Sequence, residues 1–260
     1  MLGRLKGLSA VGAFAVMAAT LSVIPAGAAA QTVTLALKTP AINVGQTAHI
    51  AGSVSPATPG QTVRLQRFYA KAWHSYKQQT LGDDSTYNFA VTPSGAGVFQ
   101  YRTASADTVS RTVTLSVYAW QDLTSLTRQV HLGNGAGCEL SATINGTFFE
   151  HTCTFQDVYA IVRKSSVEWT GLQQKCSTFE GTAGLVDSDK DVAQAGLSVS
   201  ADGVVLYSHS FSKGQSKNLK LDITGKRSLK VVTVAKNPAD DWPLELVGLG
   251  DPRVLCTWHP

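Results

Sequence analysis

The chain lacks the usual marks of a nucleic-acid-binding protein, a zinc protein or a hydrolase. Its 260 residues include 22 basic and 18 acidic side chains, so the net charge is only +4. No run of Lys and Arg is dense enough to follow a phosphate backbone. No G-x-S-x-G or other nucleophile signature occurs, and there is neither a C-x-x-C pair nor a Cys/His spacing typical of zinc. These absences argue against nucleic acid as a partner and against catalysis.

Helical periodicity of useful length is also missing, which favours an all-β chain. A long apolar run occurs once, from Leu8 to Ile24, after the basic residues Arg4 and Lys6. Three alanines, 28–30, end this segment and form an A-x-A cleavage site before Gln31. The pattern predicts a signal peptide over residues 1–30, a secreted protein and no membrane span.

Cysteine is absent from the first half of the chain. The four cysteines are Cys138, Cys153, Cys176 and Cys256. An even number of cysteines in an exported protein indicates two disulfides, and four cysteines leave three pairings open.

Residues 31–118 read as short strands with a turn about every ten residues, as in a small antiparallel sandwich. The stretches GSVSPATPGQTVRLQRF and YNFAVTPSGAGVFQYR, with Trp73 between them, carry a more specific pattern. They resemble the immunoglobulin-like modules of exported actinobacterial proteins, which act as spacers or adhesive units. A connector is predicted over residues 119–125, with Trp120 packing at the junction or starting the next domain.

Residues 126–260 again read as strands, about eight in number, which suggests a β-sandwich of the jelly-roll type. The clearest hairpin is GLSVSADGVVLY, in which Asp202 and Gly203 form the turn. The charge also changes between the two parts, because residues 31–118 carry +4 whereas residues 119–260 carry −2. The predicted fold is therefore all-β, with two sandwiches in series.

Five ordered stretches of the second part resemble the NPCBM family of carbohydrate-binding modules. They are ATINGTFFEHT, VEWTGLQQKCSTFEGTAGLVDSD, SVSADGVVLYSHSFSKGQ, LDITGKRSLKVVTV and DPRVLC. The resemblance implies a jelly-roll fold, sugar as the ligand class, and the disulfides Cys176–Cys256 and Cys138–Cys153. Two departures fall where a ligand would touch. His151-Thr152-Cys153 replaces the family's segment after I-N-G, and PLELVGLG separates Trp242 from Asp251.

Three alternating aspartates, Asp187, Asp189 and Asp191, are a candidate calcium site because carboxylates supply hard oxygen ligands. The spacing is not that of an EF-hand, since Val192 and Ser198 stand where glycine and glutamate are needed. The alternative is a solvated turn in which the aspartates accept hydrogen bonds. No other cofactor is expected.

Aromatic side chains beside polar ones are candidates for sugar binding, because an aromatic plane suits the apolar face of a sugar ring. Two groups of residues meet this description: Asn237, Asp240, Asp241 and Trp242 in one loop, and Glu150 with His151 after the I-N-G strand. Trp169 alternates with Val167 and is expected in the core.

The expected function is that of a secreted, non-catalytic protein that binds a glycan or cell-envelope polysaccharide. The immunoglobulin-like part would present the sugar-binding module. The alternative is a structural or adhesive protein that has lost sugar affinity and contacts envelope material or another protein. A secreted glycoside hydrolase is the third interpretation, since paired carboxylates could serve that reaction.

Overall fold

The structure, a computed structural model, describes residues 29–132, 135–156, 164–187, 194–235 and 247–258. Of the predicted signal peptide, residues 1–30, only residues 29 and 30 are described. Among the described residues no helix is long and apolar enough to cross a membrane. Residues 31–260 form one compact unit.

Strands account for nearly all the regular structure described. The first ten are β1 (Thr32–Val33), β2 (Ala36–Leu37), β3 (Ala41–Asn43), β4 (Ala48–Ser55), β5 (Thr62–Tyr69), β6 (Ala72–Thr80), β7 (Thr86–Val91), β8 (Gly97–Ser105), β9 (Thr108–Val109) and β10 (Val113–Asp122). A 3₁₀ turn over Leu123–Ser125 follows β10.

Ten more strands follow. They are β11 (Gln129–Leu132), β12 (Gly135–Ile144), β13 (Thr147–Gln156), β14 (Lys164–Trp169), β15 (Cys176–Leu185), β16 (Gln194–Ala201), β17 (Val204–Ser212), β18 (Ser216–Asp222), β19 (Leu229–Ala235) and β20 (Val247–Cys256). The described residues contain no α-helix, and the all-β fold expected from the sequence is confirmed.

The first hydrophobic core lies between two sheets of residues 31–118. β1, β2 and β7 pair with β4 in one sheet, and β3, β10, β8, β5 and β6 lie in the other. Strict alternation places the apolar residues inside: Val63 and Leu65 of β5 are fully buried while Arg64 between them is exposed. The immunoglobulin-like assignment of this part stays a prediction.

The second core lies between the sheet β11-β14-β19-β16-β17 and a sheet in which β20 pairs with β13 and β15, with β12 and β18 outside them. Trp169 is 1% exposed and its indole N–H donates to the Leu123 carbonyl at 3.0 Å. Its predicted place in the core is confirmed. The Asp202–Gly203 turn also forms as predicted, with φ of 48° and 79°, both positive as a type I′ turn requires.

Strand β10 belongs to both halves. Its residues Val113–Val117 pair with β8, whereas Ala119–Asp122 pair with β20. The connector predicted over residues 119–125 therefore forms the end of this strand and the 3₁₀ turn, where Leu123 is fully buried. The predicted domain limits stay a prediction, but one continuous strand physically joins the two cores.

Two disulfides connect strands of the second part. Cys138 on β12 bonds to Cys153 on β13, and Cys176 on β15 bonds to Cys256 on β20, directly opposite it in the ladder. This is the pairing that the family resemblance implies. The second bond closes a loop with a sequence separation of 80 residues, and in the chain-entropy model such a loop stabilises the fold by about 4 kcal/mol.

Candidate functional site

Asp187 acts as a clamp on a hairpin turn. Its Oδ1 accepts the backbone N–H of Asn145 at 2.9 Å and its Oδ2 accepts that of Gly146 at 2.7 Å. Asn145 and Gly146 form the tight turn between β12 and β13, both with positive φ. Of the two interpretations given from sequence, these contacts favour the hydrogen-bonding one for Asp187.

The rest of the proposed calcium site cannot be placed, since Asp189 and Asp191 lie outside the described residues. Within the described ranges, no group of three His, Cys, Asp or Glu side chains could hold a metal ion. Calcium binding by this stretch stays a prediction.

The two predicted sugar-binding groups have different outcomes. Asn237, Asp240, Asp241 and Trp242 all lie outside the described residues. Glu150 and His151 lie on β13 and are exposed. The imidazole Nδ1 of His151 lies 3.1 Å from Oδ2 of Asp122, at the end of β10.

The His151–Asp122 contact marks a junction in the sheet. Along one edge of β20, residues Val247–Gly250 pair with β13 and residues Arg253–Cys256 pair with β10, while β15 occupies the opposite edge. Asp251 has φ of 45° at the point where the partner changes, and the ladder with β15 is irregular there. Such a bulge bends the strand and re-aims its side chains.

A groove of about 400 Å³ opens over this bend. Its lining residues come from four strands: Phe149 of β13; Glu180, Gly181 and Thr182 of β15; Asn218, Leu219 and Lys220 of β18; and Gly250, Asp251 and Arg253 of β20. Most of them are polar, on the side of the sheet that faces away from the core.

The centre of the groove is a row of alternating charges. Glu180 is in register with Lys220 on one side and Arg253 on the other. Lys220 Nζ lies 3.2 Å from Glu180 Oε1, and Arg253 Nη2 lies 2.9 Å from Oε2. Burial raises the pKa of Glu180, but the hydrogen bonds from Arg253 and Lys220 outweigh it, so the pKa lies below its ordinary value. Glu180 is therefore held ionised and fixed in place.

Aromatic rings support this row. The Arg253 guanidinium lies 4.5 Å from the centroid of the Trp120 ring, which is 37% exposed. Phe149 packs directly over Gly250: a Cβ on Gly250 would lie 2.4 Å from the Phe149 ring. The glycine thus allows the ring to close down on the strand and form a wall of the groove.

The next row of the groove carries an amide and a hydroxyl. Thr182 is in register with Asn218 and Gly250, and its hydroxyl donates to Asn218 Oδ1 at 2.9 Å. The Asn218 side-chain oxygen is the acceptor in this contact, while its amide nitrogen carries two N–H donors. The groove therefore presents carboxylate, amide, ammonium and guanidinium groups within one short stretch of sheet, the mixture that hydroxyl-rich ligands require.

The sequence did not identify Glu180, Lys220, Arg253 or Trp120 as site residues. They are separated by as many as 133 positions and meet only through the ladder register. A partial signal exists in the polar alternation Thr178-Glu180-Thr182, which marks the outward side of β15. Trp120, expected either to pack at the junction of the two parts or to start the second, lies on the stretch of β10 that pairs with β20.

A family comparison finds a match within the second part of the chain. Residues 141–243 match the NPCBM/NEW2 domain. The NPCBM resemblance seen in the sequence is thereby confirmed for this stretch, and a carbohydrate-binding-module-like domain is present. The NPCBM/NEW2 stretch contains the groove residues of β13, β15 and β18, while β10 and β20 lie outside the match.

Solved structures similar to the chain include carbohydrate-binding modules of Clostridium perfringens. The CBM51-2 and INT domains of ZmpB, in complex with GlcNAc, align at 15% identity with a TM-score of 0.44 over 62% of this chain and 38% of that one. CBM51 of GH95, in complex with methyl-galactose, aligns at 18% identity with a TM-score of 0.39 over 52% of this chain and 99% of that one.

These likenesses are too distant to assign a ligand to this chain. The chain also spans well under two thirds of the length of the ZmpB structures that it matches. No curated protein matches the sequence.

Proposed function

We propose that this protein is a secreted, non-catalytic carbohydrate-binding protein whose sugar site is the groove over β15, β18 and β20. The observation that carries the proposal is the Lys220–Glu180–Arg253 row beside Phe149. Each charged group in this row is already oriented by its neighbour, so little side-chain entropy is lost when hydroxyls bind. The NPCBM/NEW2 match over residues 141–243 supports the same ligand class.

The electrostatics of Glu180 do not fit the general acid of a glycosidase. A glycosidase needs one carboxyl with a raised pKa to act as general acid. Glu180 has a lowered pKa because Arg253 and Lys220 stabilise its carboxylate. The two disulfides support secretion, since such bonds persist in oxidising compartments.

Two residues predicted from the sequence lie next to this proposed site, since Glu150 and His151 follow Phe149 on β13. The other predicted residues, Asn237, Asp240, Asp241 and Trp242, precede β20 in the sequence and lie outside the described residues. We include Trp242 as a stacking residue for the sugar ring. The test is the variant Trp242→Ala, measured in the glycan-binding experiment described next.

The experiment is a glycan-array screen of the full chain, followed by calorimetry with the best ligand. Glu180→Gln removes the charge that orders the row, and we expect affinity to fall about tenfold, the effect of roughly 1.4 kcal/mol. The matched control is Glu168→Gln, since Glu168 forms the same type of cross-strand pair with Lys230 on β14 and β19 of the opposite sheet.

If Glu180→Gln binds the glycan as tightly as wild type, the sugar site does not lie in the groove. A folded protein that binds no glycan at all would remove the proposed function, and turnover of a polysaccharide would replace it with the hydrolase interpretation.

A further inference from the structure

Three neighbouring strands of the first sandwich carry cations and no carboxylate. β5, β6 and β8 hold Arg64, Arg67, Lys77 and Arg102, with Lys71 in the turn between β5 and β6. They contain neither Asp nor Glu, which explains much of the +4 charge of residues 31–118. Among the described residues, no ion pair neutralises Arg64 or Arg102.

The outward side of these strands is a polar and aromatic surface. Because Val63 and Leu65 point into the core, the residues that alternate with them face solvent. Register places Gln66 beside Arg102 on β8, and Phe68 beside Trp73 on β6. Arg64 is diagonal to Arg102, at about 7–8 Å between Cα atoms. We call this surface the outer arginine face, and its members are Arg64, Gln66, Phe68, Trp73, Gln100 and Arg102.

Side chains on the outer arginine face are held in place. The Arg102 guanidinium lies 4.4 Å from the centroid of the Trp73 ring, and its Nε donates to Gln66 Oε1 at 2.8 Å. The rings of Phe68 and Trp73 lie 5.3 Å apart. Phe68 is nevertheless 39% exposed, so an apolar ring stands open to solvent beside a fixed guanidinium.

Strand β10 connects this face to the groove. Thr114 and Ser116 are in register with Gln100 and Val98 on the outward side of β8. The same alternation along β10 brings Trp120 and Asp122 to that side, and these residues lie beside Arg253 in the groove. Both surfaces therefore face outward from a single shared strand.

We propose that the outer arginine face is a second binding site, which takes an acidic polysaccharide carrying carboxylates. Guanidinium groups match carboxylates in a two-pronged geometry, and the Phe68 ring offers a plane for the apolar side of a sugar. The proposal goes beyond the sugar groove, where every charge of the central row already has a partner.

A polysaccharide fits this surface better than a nucleic acid does. Only two guanidinium groups, Arg64 and Arg102, lie among the members of the face, too few to track a phosphate backbone. The amides of Gln66 and Gln100 both donate and accept, as hydroxyl groups require. A long polymer that follows β10 would contact both surfaces at once. Binding at one surface would then raise the local concentration of polymer at the other, so the overall binding would be tighter than at either surface alone.

The test measures binding of the full chain to polygalacturonate, with neutral dextran and duplex DNA as comparison polymers. We expect binding to polygalacturonate that weakens as salt increases. The double variant Arg64→Gln/Arg102→Gln should lower affinity about tenfold. Arg64→Gln alone, which removes no contact of Trp73, should lower it about threefold and keep the melting temperature unchanged.

A matched double variant, Lys38→Gln/Lys164→Gln, removes the same net charge from other exposed positions and should leave affinity unchanged. Phe68→Ala, which removes the exposed ring, should also weaken binding to polygalacturonate relative to wild type. The proposal is overturned by equal loss in the matched control, or by duplex DNA binding as tightly as polygalacturonate. It is also overturned if Glu180→Gln abolishes polygalacturonate binding while Arg64→Gln/Arg102→Gln does not. Glycan-array binding at the groove would survive each of these results, so the two proposals fail separately.

Discussion

At the scale of single residues, several carboxylates in the described part of the chain accept hydrogen bonds that fix the backbone or a cation. Asp187 holds the Asn145–Gly146 turn, and Asp202 accepts the N–H groups of Arg227 and Ser228. The sequence suggested a turn role for Asp187 because aspartates favour turns. It could not show which amides the carboxylate reaches, because they lie more than forty residues away.

Asp187→Ala should destabilise the protein by about 1–3 kcal/mol, since two hydrogen bonds to a charged group are lost. The free energy of unfolding in urea measures the effect. Asp107→Ala is the control, because Asp107 is exposed in a turn, and a change within about 0.5 kcal/mol is expected there. A loss in Asp187→Ala no larger than in the control would contradict the clamp.

Glu180 predicts a pH dependence of stability. Its pKa in the folded protein is lower than the ordinary 4.5, so folding favours the ionised form. This stabilisation is complete above the unfolded pKa and disappears as the pH falls through the folded pKa.

Wild type and Glu180→Gln should therefore differ in unfolding free energy at pH 7 by about 1 kcal/mol or less, as surface pairs do. The difference should vanish in strongly acidic solution. Urea unfolding at several pH values tests this, and a difference that grows on acidification would show that the sign is wrong.

At the scale of elements, sequence patterns and ladder register contributed different parts of the site. The turn dipeptide Asp202–Gly203 and the alternation in β16 identify a hairpin, because a tight turn and a buried face each leave a local signature. The groove leaves no such local signature, since it depends on which residues of β15, β18 and β20 face each other. The bulge at Asp251 shifts that register by an amount that no local pattern encodes.

Gly250 is the position where this geometry is easiest to disturb. A Cβ there would meet the Phe149 ring at 2.4 Å, so Gly250→Ala should displace the ring and cost about 1–3 kcal/mol of stability. Glycan affinity should fall with it. Gly171→Ala is the matched control, because a Cβ at Gly171 would meet no atom within 4 Å. Equal stability and affinity in the two variants would show that Phe149 is not seated on Gly250.

At the scale of the whole molecule, β10 and the disulfides connect what the sequence separates. Two strand-rich parts and an all-β fold follow from turn spacing and composition. The continuous strand through residues 113–122 does not follow from the sequence. A connector was predicted there only because one family resemblance ends and the other begins at that point. The Cys176–Cys256 bond joins β15 to β20, the two strands that hold Glu180 and Arg253 of the groove.

Removing this bond with Cys176→Ser/Cys256→Ser should lower the unfolding free energy by about 2–5 kcal/mol. The Cys138–Cys153 bond closes a much shorter loop, with a separation of 15 residues. Its removal in Cys138→Ser/Cys153→Ser should therefore lower the unfolding free energy by less. The comparison is made by urea unfolding under non-reducing conditions. A larger loss for the shorter loop would contradict the expected order.

The central claim, that sugar binds in the groove, is tested most directly by amide hydrogen exchange with and without the best array ligand. The account predicts slower exchange on binding in residues 178–182, 218–220 and 250–253, with no change in β14 and β19 on the opposite sheet. Protection confined to other strands, with the three groove segments unchanged at saturating ligand, would contradict it.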